Sequence, residues 1–579
     1  MSVRRHHHLR GAILLFATGA LTLLGPPIAA QEPVRTLDLG APITDTLRGA
    51  IPDAILTRVL DRFNAPTTTR LEGNFDLAPG GIMTGTLALY GNIARIGGTV
   101  RGSVVVLNGD LRVAATGRVE GDIIVLGGRL TVARGAVITG DTTVYLRGAA
   151  VQRQADGRVI RRRPGRALTD LTSAAASFPI GPVVATLRAG AQPYNRVEGL
   201  PISVGPSFTW QADPLNTIQL DLAGIVRTAS SNSQDRPDFG WTGRLSARRA
   251  GSTPLVVGLE AGSIIAPMAD QHYSALESGL TAFLLRRDYR DWYATRGWGL
   301  FANWTPTRPL TVGLGVHQSR ERSVHAGDAF SLFRGNESWR ANTLVDDGRF
   351  QTIELRLAYD TRDEASRPTS GWWIRGELRR ITSRELTPAS LPTDIRDALP
   401  TSGYQADEAD FDARYYLRLN ARHSVHLRVA GGGWLGGDPM LVQHRRSMGG
   451  LDPLSGYDFR YLNCDRRLRR DPGLPALCDR QLLLQAEFRR ALDLNLSTRI
   501  GGYTIGLQRV EAVAFGDVGT AWLAGDGKGR VPSNRIQNIG EWRSDVGVGL
   551  DGGTVGIYLA KAIADPEPIR LLLRLQRRF

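Results

Sequence analysis

The sequence predicts an all-β protein: a C-terminal transmembrane β-barrel of about sixteen strands, preceded by a small periplasmic β-solenoid. Three observations predict it. The chain opens with an export signal, a glycine-punctuated repeat follows, and residue-by-residue alternation then runs to a terminal aromatic.

Arg4, Arg5 and Arg10 form a basic region ahead of an uncharged apolar run from Gly11 to Leu24, and small residues close the segment at Ala29-Ala30. This is the layout of a secretory signal peptide over residues 1–30, cleaved between Ala30 and Gln31. The apolar run is too short to span a bilayer comfortably, and an uncleaved anchor is the competing reading. His6-His7-His8 lies in the discarded segment and is no metal site, and the lack of a cysteine after the run argues against a lipid anchor.

Composition narrows the class. No later stretch approaches eighteen uninterrupted apolar residues, which speaks against transmembrane helices. The net charge of +15 is almost wholly arginine, since Lys528 and Lys561 are the only lysines. An exported chain does not routinely meet nucleic acid, so the charge fits a barrel lining or anionic headgroups. Cys464 and Cys478 lie close together in a polar loop and read as one local disulfide or as two free thiols.

Residues 31–80 are mixed, and Ile55, Val59 and Phe63 have the spacing of a short amphipathic helix. Residues 81–148 carry a repeat. Gly102-Ser-Val-Val-Val-Leu-Asn-Gly-Asp returns nineteen positions later as Gly121-Asp-Ile-Ile-Val-Leu-Gly-Gly-Arg, with flanking copies at Gly85 and Gly140. Short β-branched runs between glycines at this period suit stacked coils that share one apolar strip, and a small antiparallel sheet is the alternative. The segment resembles bactofilin-type, polymer-forming β-helical domains. Residues 149–192 read as a linker, with Arg161-Arg162-Arg163-Pro164 as a solvated run or a headgroup contact.

From Tyr194 to Phe579 strands alternate. Ile218, Leu220 and Leu222 oppose Gln219 and Asp221; Ile353, Leu355 and Leu357 oppose Glu354 and Arg356; Leu482, Leu484, Ala486 and Phe488 oppose Gln485, Glu487 and Arg489. A soluble sandwich alternates too. Export, a densely charged polar face and the closing Phe579 favour a barrel over residues 193–579, because strands in lipid must pair all their backbone groups.

Within that span Tyr194-Asn-Arg-Val-Glu-Gly199 looks like the first barrel strand of BamA/TamA-type surface-antigen proteins. Tyr359-Asp-Thr-Arg-Asp363 with Pro368-Thr-Ser-Gly371 is similar to a mid-barrel hairpin there, and Gly449-Gly-Leu-Asp-Pro-Leu-Ser-Gly-Tyr457 sits where that family carries a loop motif ending Arg-Gly-Tyr or Arg-Gly-Phe. Phe515-Gly-Asp-Val-Gly519 with Trp522, and the ending from Val546 to Phe579, match its late strands. The resemblance implies a sixteen-stranded barrel, a long extracellular loop folded into the lumen, and a role in inserting or translocating proteins or lipids at the outer membrane.

Two departures stand out. The glycine-rich repeat occupies the place of the POTRA domains, and Ser455 replaces the loop-motif arginine. In the family that arginine meets an aspartate, here Asp517, so Arg460 is expected to reach Asp517 with Tyr457 beside it. Tyr194, Asn195, Arg196, Glu198 and Gly199 are expected to start the barrel, and Phe579 to end the closing strand beside them, as the C-terminal assembly signal. On strict alternation Arg577 would then face lipid. No catalytic or metal motif occurs, and the chain reads as neither enzyme nor cofactor carrier. Expected partners are outer-membrane lipid, the machinery that inserts the barrel, a protein or lipid substrate, and a second solenoid. An insertase or translocase, a passive channel or receptor, and a structural mount for the solenoid are the three functional readings.

Overall fold

The computed structural model describes residues 51–579 apart from 52, 72–73, 146–148, 150, 154–156, 162–172, 214, 230–238, 269–273, 308, 366, 392–394, 452, 465–474, 493–494, 501–502, 509, 527–528 and 554. The signal peptide and its cleavage site lie outside these residues.

Helix α1 (Asp53–Asn64) forms where the apolar spacing places it, and its buried Leu56, Val59, Leu60 and Phe63 pack on the first domain. That domain is a β-solenoid. Short strands stack in three sheets, and each strand pairs parallel with its counterpart one coil on: Thr68 with Thr86, Leu87 with Val104, Val104 with Ile123 and Ile123 with Thr142. The parallel register rules out the small antiparallel sheet. The coils begin at Thr68, ahead of the expected boundary at 81, because the first copy has lost its glycine signature but kept the strand pairing. Between the sheets, Ile96, Val106, Leu111, Val119 and Val125 form one buried strip.

Residues 149–192 are not a bare linker: Val151–Arg153 pairs with Val159–Arg161, and two further strands join the large C-terminal sheet. Among the described residues this sheet has 17 antiparallel strands in sequence order. They are β1 Ser173–Ile180, β2 Val183–Ala191, β3 Ile202–Gln211, β4 Asn216–Val226, β5 Phe239–Arg249, β6 Leu255–Pro267, β7 Trp292–Thr307, β8 Leu310–Ser323, β9 Asp347–Asp360, β10 Gly371–Thr387, β11 Tyr404–Arg418, β12 His423–Gly437, β13 Arg480–Ala491, β14 Glu511–Trp522, β15 Arg543–Asp551, β16 Gly556–Ala562 and β17 Arg570–Arg574. A second helix, α2 (Ala275–Leu285), stands in the β6–β7 connection.

The sheet curls round on itself. Arg574 on β17 meets Glu277 of α2 at 3.0 Å, and Arg367 beside β9 donates to the Gly552 carbonyl beside β15 at 2.8 Å. Alternation holds as expected on β13, where Leu484 and Phe488 are exposed while Gln485, Glu487 and Arg489 are buried. Exposed Leu259, Leu300, Ile353, Leu378, Leu427 and Leu559 continue that apolar outer face, the surface a lipid-spanning barrel needs. No helix among the described residues is long and apolar enough to cross a membrane. Connections alternate between a short-turn end and a long-loop end, except that the β13–β14 connection at the short-turn end extends into a hairpin of Asn495–Ile500 and Tyr503–Gln508. At the short-turn end Arg418 pairs with Asp110 of the solenoid at 3.0 Å and Arg422 donates to Asn92, so the two domains touch there.

Two expectations about closure are corrected. Tyr194–Gly199 does not start the barrel; it is a turn in the β2–β3 connection. Asn195 Oδ1 accepts from the Val197 and Glu198 amides, Asn195 and Gly199 exchange backbone hydrogen bonds, and Gly199 has φ +71°, so the segment curls rather than extends. Phe579 does not end a strand either. Pairing stops at Arg574, and among the described residues β17 pairs only with β16. Residues 575–579 turn inward, which takes Arg577 away from lipid and onto Glu511 and Asp551.

Candidate functional site

The site is built where the β12–β13 loop enters the lumen. Gly449 and Gly450 lie at φ +110° and +124°, and a side chain at Gly449 would come within 2.4 Å of the Asp458 carbonyl oxygen, so the loop folds tightly there. Met448, Leu454, Tyr457 and Leu462 are buried against Leu483, Ala521 and Ala562 of the barrel wall. The Gly456 amide donates to Asp545 Oδ2 at 2.5 Å, and the Tyr457 hydroxyl donates to the Ser544 carbonyl at 3.1 Å. Gly519 completes the fit: a side chain there would meet the Met448 sulfur at 2.9 Å. Cys464 and Cys478 form the disulfide, which ties the far side of the loop to the base of β13.

Asp517 is fully buried, but Arg460 is not its partner. The partner is Arg578. Its guanidinium donates to Asp517 Oδ2 at 2.5 Å, to Glu487 Oε1 at 2.9 Å and to Ser455 Oγ at 3.1 Å, and lies 3.7 Å above the Phe515 ring. The serine at the motif position thus accepts from an arginine instead of supplying one. A charge buried in the lumen needs a full set of partners, and the inturned C-terminus provides it. Next to this group Arg489 pairs with Glu487, Glu511 and Asp551 at 2.6 to 3.0 Å, and Arg577 joins the last two.

Arg460 goes elsewhere, to Asp291 at 2.5 Å. Asp291 also holds Arg196 at 2.6 Å and Arg340 at 2.8 Å, and Arg196 reaches Asp288 at 3.1 Å and Asn342 Oδ1 at 2.9 Å. Burial opposes ionisation of Asp291, yet the guanidiniums of Arg340, Arg460 and Arg196 hold its carboxyl well below the usual carboxylate range. Burial pushes Arg340 down to about 10. Glu198 pairs with Arg227 at 2.7 Å. The Tyr194–Gly199 turn and the lumen loop are therefore brought together, through two arginines on one aspartate.

Sequence reading missed Arg578, Glu277 and Asp291. The first sits in a run read as a strand, and the other two lie in a connection with no motif. Among the described residues no cluster of His, Cys, Asp and Glu is arranged to hold a metal ion.

Residues 284–554 match the Omp85 superfamily domain. With the apolar-faced sheet, this match makes the C-terminal part of the chain similar to Omp85-type outer-membrane β-barrels. Together with the β-solenoid in front of the sheet, the match fits a BamA/TamA-type barrel with a solenoid segment. No curated protein matches the chain significantly. Among solved structures, BamA from Haemophilus ducreyi lacking POTRA domains 1–3 is 12% identical with a TM-score of 0.39, covering 73% of each chain. CdiB from Acinetobacter baumannii is 10% identical with a TM-score of 0.30, covering 70% of this chain and 65% of that one. CdiB from Escherichia coli is 11% identical with a TM-score of 0.27, covering 68% and 62%. At such scores these likenesses carry no weight on function.

Proposed function

We propose that the chain inserts or translocates proteins or lipids at the outer membrane, with the solenoid in the periplasm as a docking or self-association platform. One observation carries the reading: the first and last strands of the sheet are not paired with each other among the described residues. An unzipped seam exposes backbone groups that another strand can satisfy, beside lipid. The buried loop and tail networks support it, because they tie the lumen loop and the C-terminal tail to the wall beside the seam, at β14 and β15. Phe579 serves in addition as the signal read by the machinery that inserts this barrel.

The test is reconstitution. Liposomes carrying the protein should speed the folding of a second, urea-unfolded outer-membrane barrel relative to empty liposomes. Ion conduction without any acceleration would sink the insertase reading. It would favour a passive channel, for which a cavity of about 840 Å³ along β1 to β8, bordered by Arg188, Asp221, Arg244, Glu260 and His317, gives a specific reason.

A further inference from the structure

Strands β2 to β17 number sixteen, and every neighbouring pair is antiparallel, so β2 and β17 run in opposite directions. Those two are the strands that would pair to close the barrel. The edge of β2 is already taken. β1 pairs with it along its whole length, from Ser173 opposite Gly190 to Ile180 opposite Val183, through the tight turn at Gly181-Pro182. Ser177 and Thr186 add a side-chain hydrogen bond at 3.0 Å. As the seventeenth strand, β1 runs parallel to β17 and cannot zip to it in the antiparallel pattern of the rest of the sheet.

The chemistry of β1 suits this place. Phe178 and Ile180 are 56% and 60% exposed, on the same face as Leu187 at 52%, so they extend the apolar outer face. Pro179 has no amide to donate, and proline in a sheet belongs on an edge strand. β1 therefore covers the edge of β2 and offers a blunted edge of its own.

We infer that β1 is a built-in stand-in for a client strand: it occupies the seam edge of β2 and must leave before β2 pairs with β17 or with a strand from another protein. Occupancy follows from the register. The stand-in role rests on the insertase reading.

Cysteine crosslinking in the full-length protein, in membranes, tests occupancy. Ala176→Cys and Leu187→Cys lie opposite each other, and both fall in the tryptic segment 167–188. Oxidation should remove two hydrogens from most copies of that peptide. Leu187→Cys with Leu571→Cys or Leu573→Cys should give no crosslink in the intact chain. The same pairs should crosslink once residues 173–180 are replaced by a Gly/Ser segment of equal length. A link from position 187 to position 571 or 573 in the intact chain, with no link between positions 176 and 187, would overturn the proposal. If the replacement fails to fold, the two intact-chain measurements still decide. In the liposome assay the replacement should accelerate client folding beyond the intact chain. Expected crosslinks with no acceleration by either form would remove the stand-in role with the insertase reading and leave the occupancy standing.

Discussion

Arg578, one residue from the C-terminus, closes its guanidinium on Asp517 of β14 at 2.5 Å, with Ser455 of the lumen loop 3.1 Å away on the same group. Tail, wall and loop therefore share one buried cation. Removing it takes the buried cation from Asp517 and leaves Glu487 to Arg489 alone, at a cost of about 3–5 kcal/mol. Arg578→Ala should lower the temperature at which the folded barrel opens, read as the shift between compact and unfolded forms on a gel. Arg578→Lys should recover only part, because an ammonium cannot span three acceptors in one plane. Combined with Asp517→Asn, the two losses should be strongly non-additive, with a coupling of about 0.5–3 kcal/mol. Additive losses would mean that the contact contributes nothing.

This pair also shows where sequence reading stops. Period-two alternation fixes faces within a strand, and Glu487, Arg489, Leu484 and Phe488 lie as their spacing predicts. The same rule, carried past Arg574, put Arg577 in lipid, because alternation holds no signal for a backbone that leaves the sheet. The solenoid was legible because each coil repeats the one before. Tyr194–Gly199 was misread because its asparagine and glycine, which make the turn, were outweighed by a motif likeness. The Arg196–Asp291–Arg460 group joins three connections far apart in sequence, and nothing local marks such a meeting.

Asp291 makes an acid-stability prediction. A carboxyl held below its ordinary pKa contributes stability that is fully present above that pKa and lost only as pH falls through the depressed folded value. Asp291→Asn should therefore destabilise the barrel by about 3–5 kcal/mol at neutral pH. The gap between wild type and variant should stay constant down to the ordinary carboxylate range and narrow only below it. Thermal unfolding of both proteins across acid pH measures this. A gap that closes between neutrality and the ordinary range would show an unperturbed carboxyl.

The Cys464–Cys478 disulfide spans 14 positions. Closing a loop of that size restricts the unfolded chain by about 3 kcal/mol. Replacing both cysteines by serine should lower barrel stability by that order, and a reducing agent should weaken the wild type but not the variant. Equal sensitivity of the two proteins to reduction would contradict the assignment.

The last prediction concerns the solenoid's glycine column. Gly102, Gly121 and Gly140 stack one coil above another, and a side chain on Gly121 would lie 2.6 Å from the carbonyl carbon of Gly102 and 2.7 Å from the Ser103 amide nitrogen. Both obstacles are backbone, held by the spacing of paired strands, so no side chain can swing aside to make room. Overpacking of even a tolerant core costs about 1–3 kcal/mol, and an unyielding backbone leaves less room for relief. Gly121→Val should therefore open the stack between neighbouring coils. Limited proteolysis of the full-length protein should cut the variant within residues 81–148 at protease levels that spare the wild type, while its barrel keeps its compact gel mobility. Arg112→Ala, on an exposed side chain of the same domain, is the control and should match wild type. If Gly121→Val is as resistant as that control, the glycines are not what allows the coils to approach, and the period reflects the strands alone.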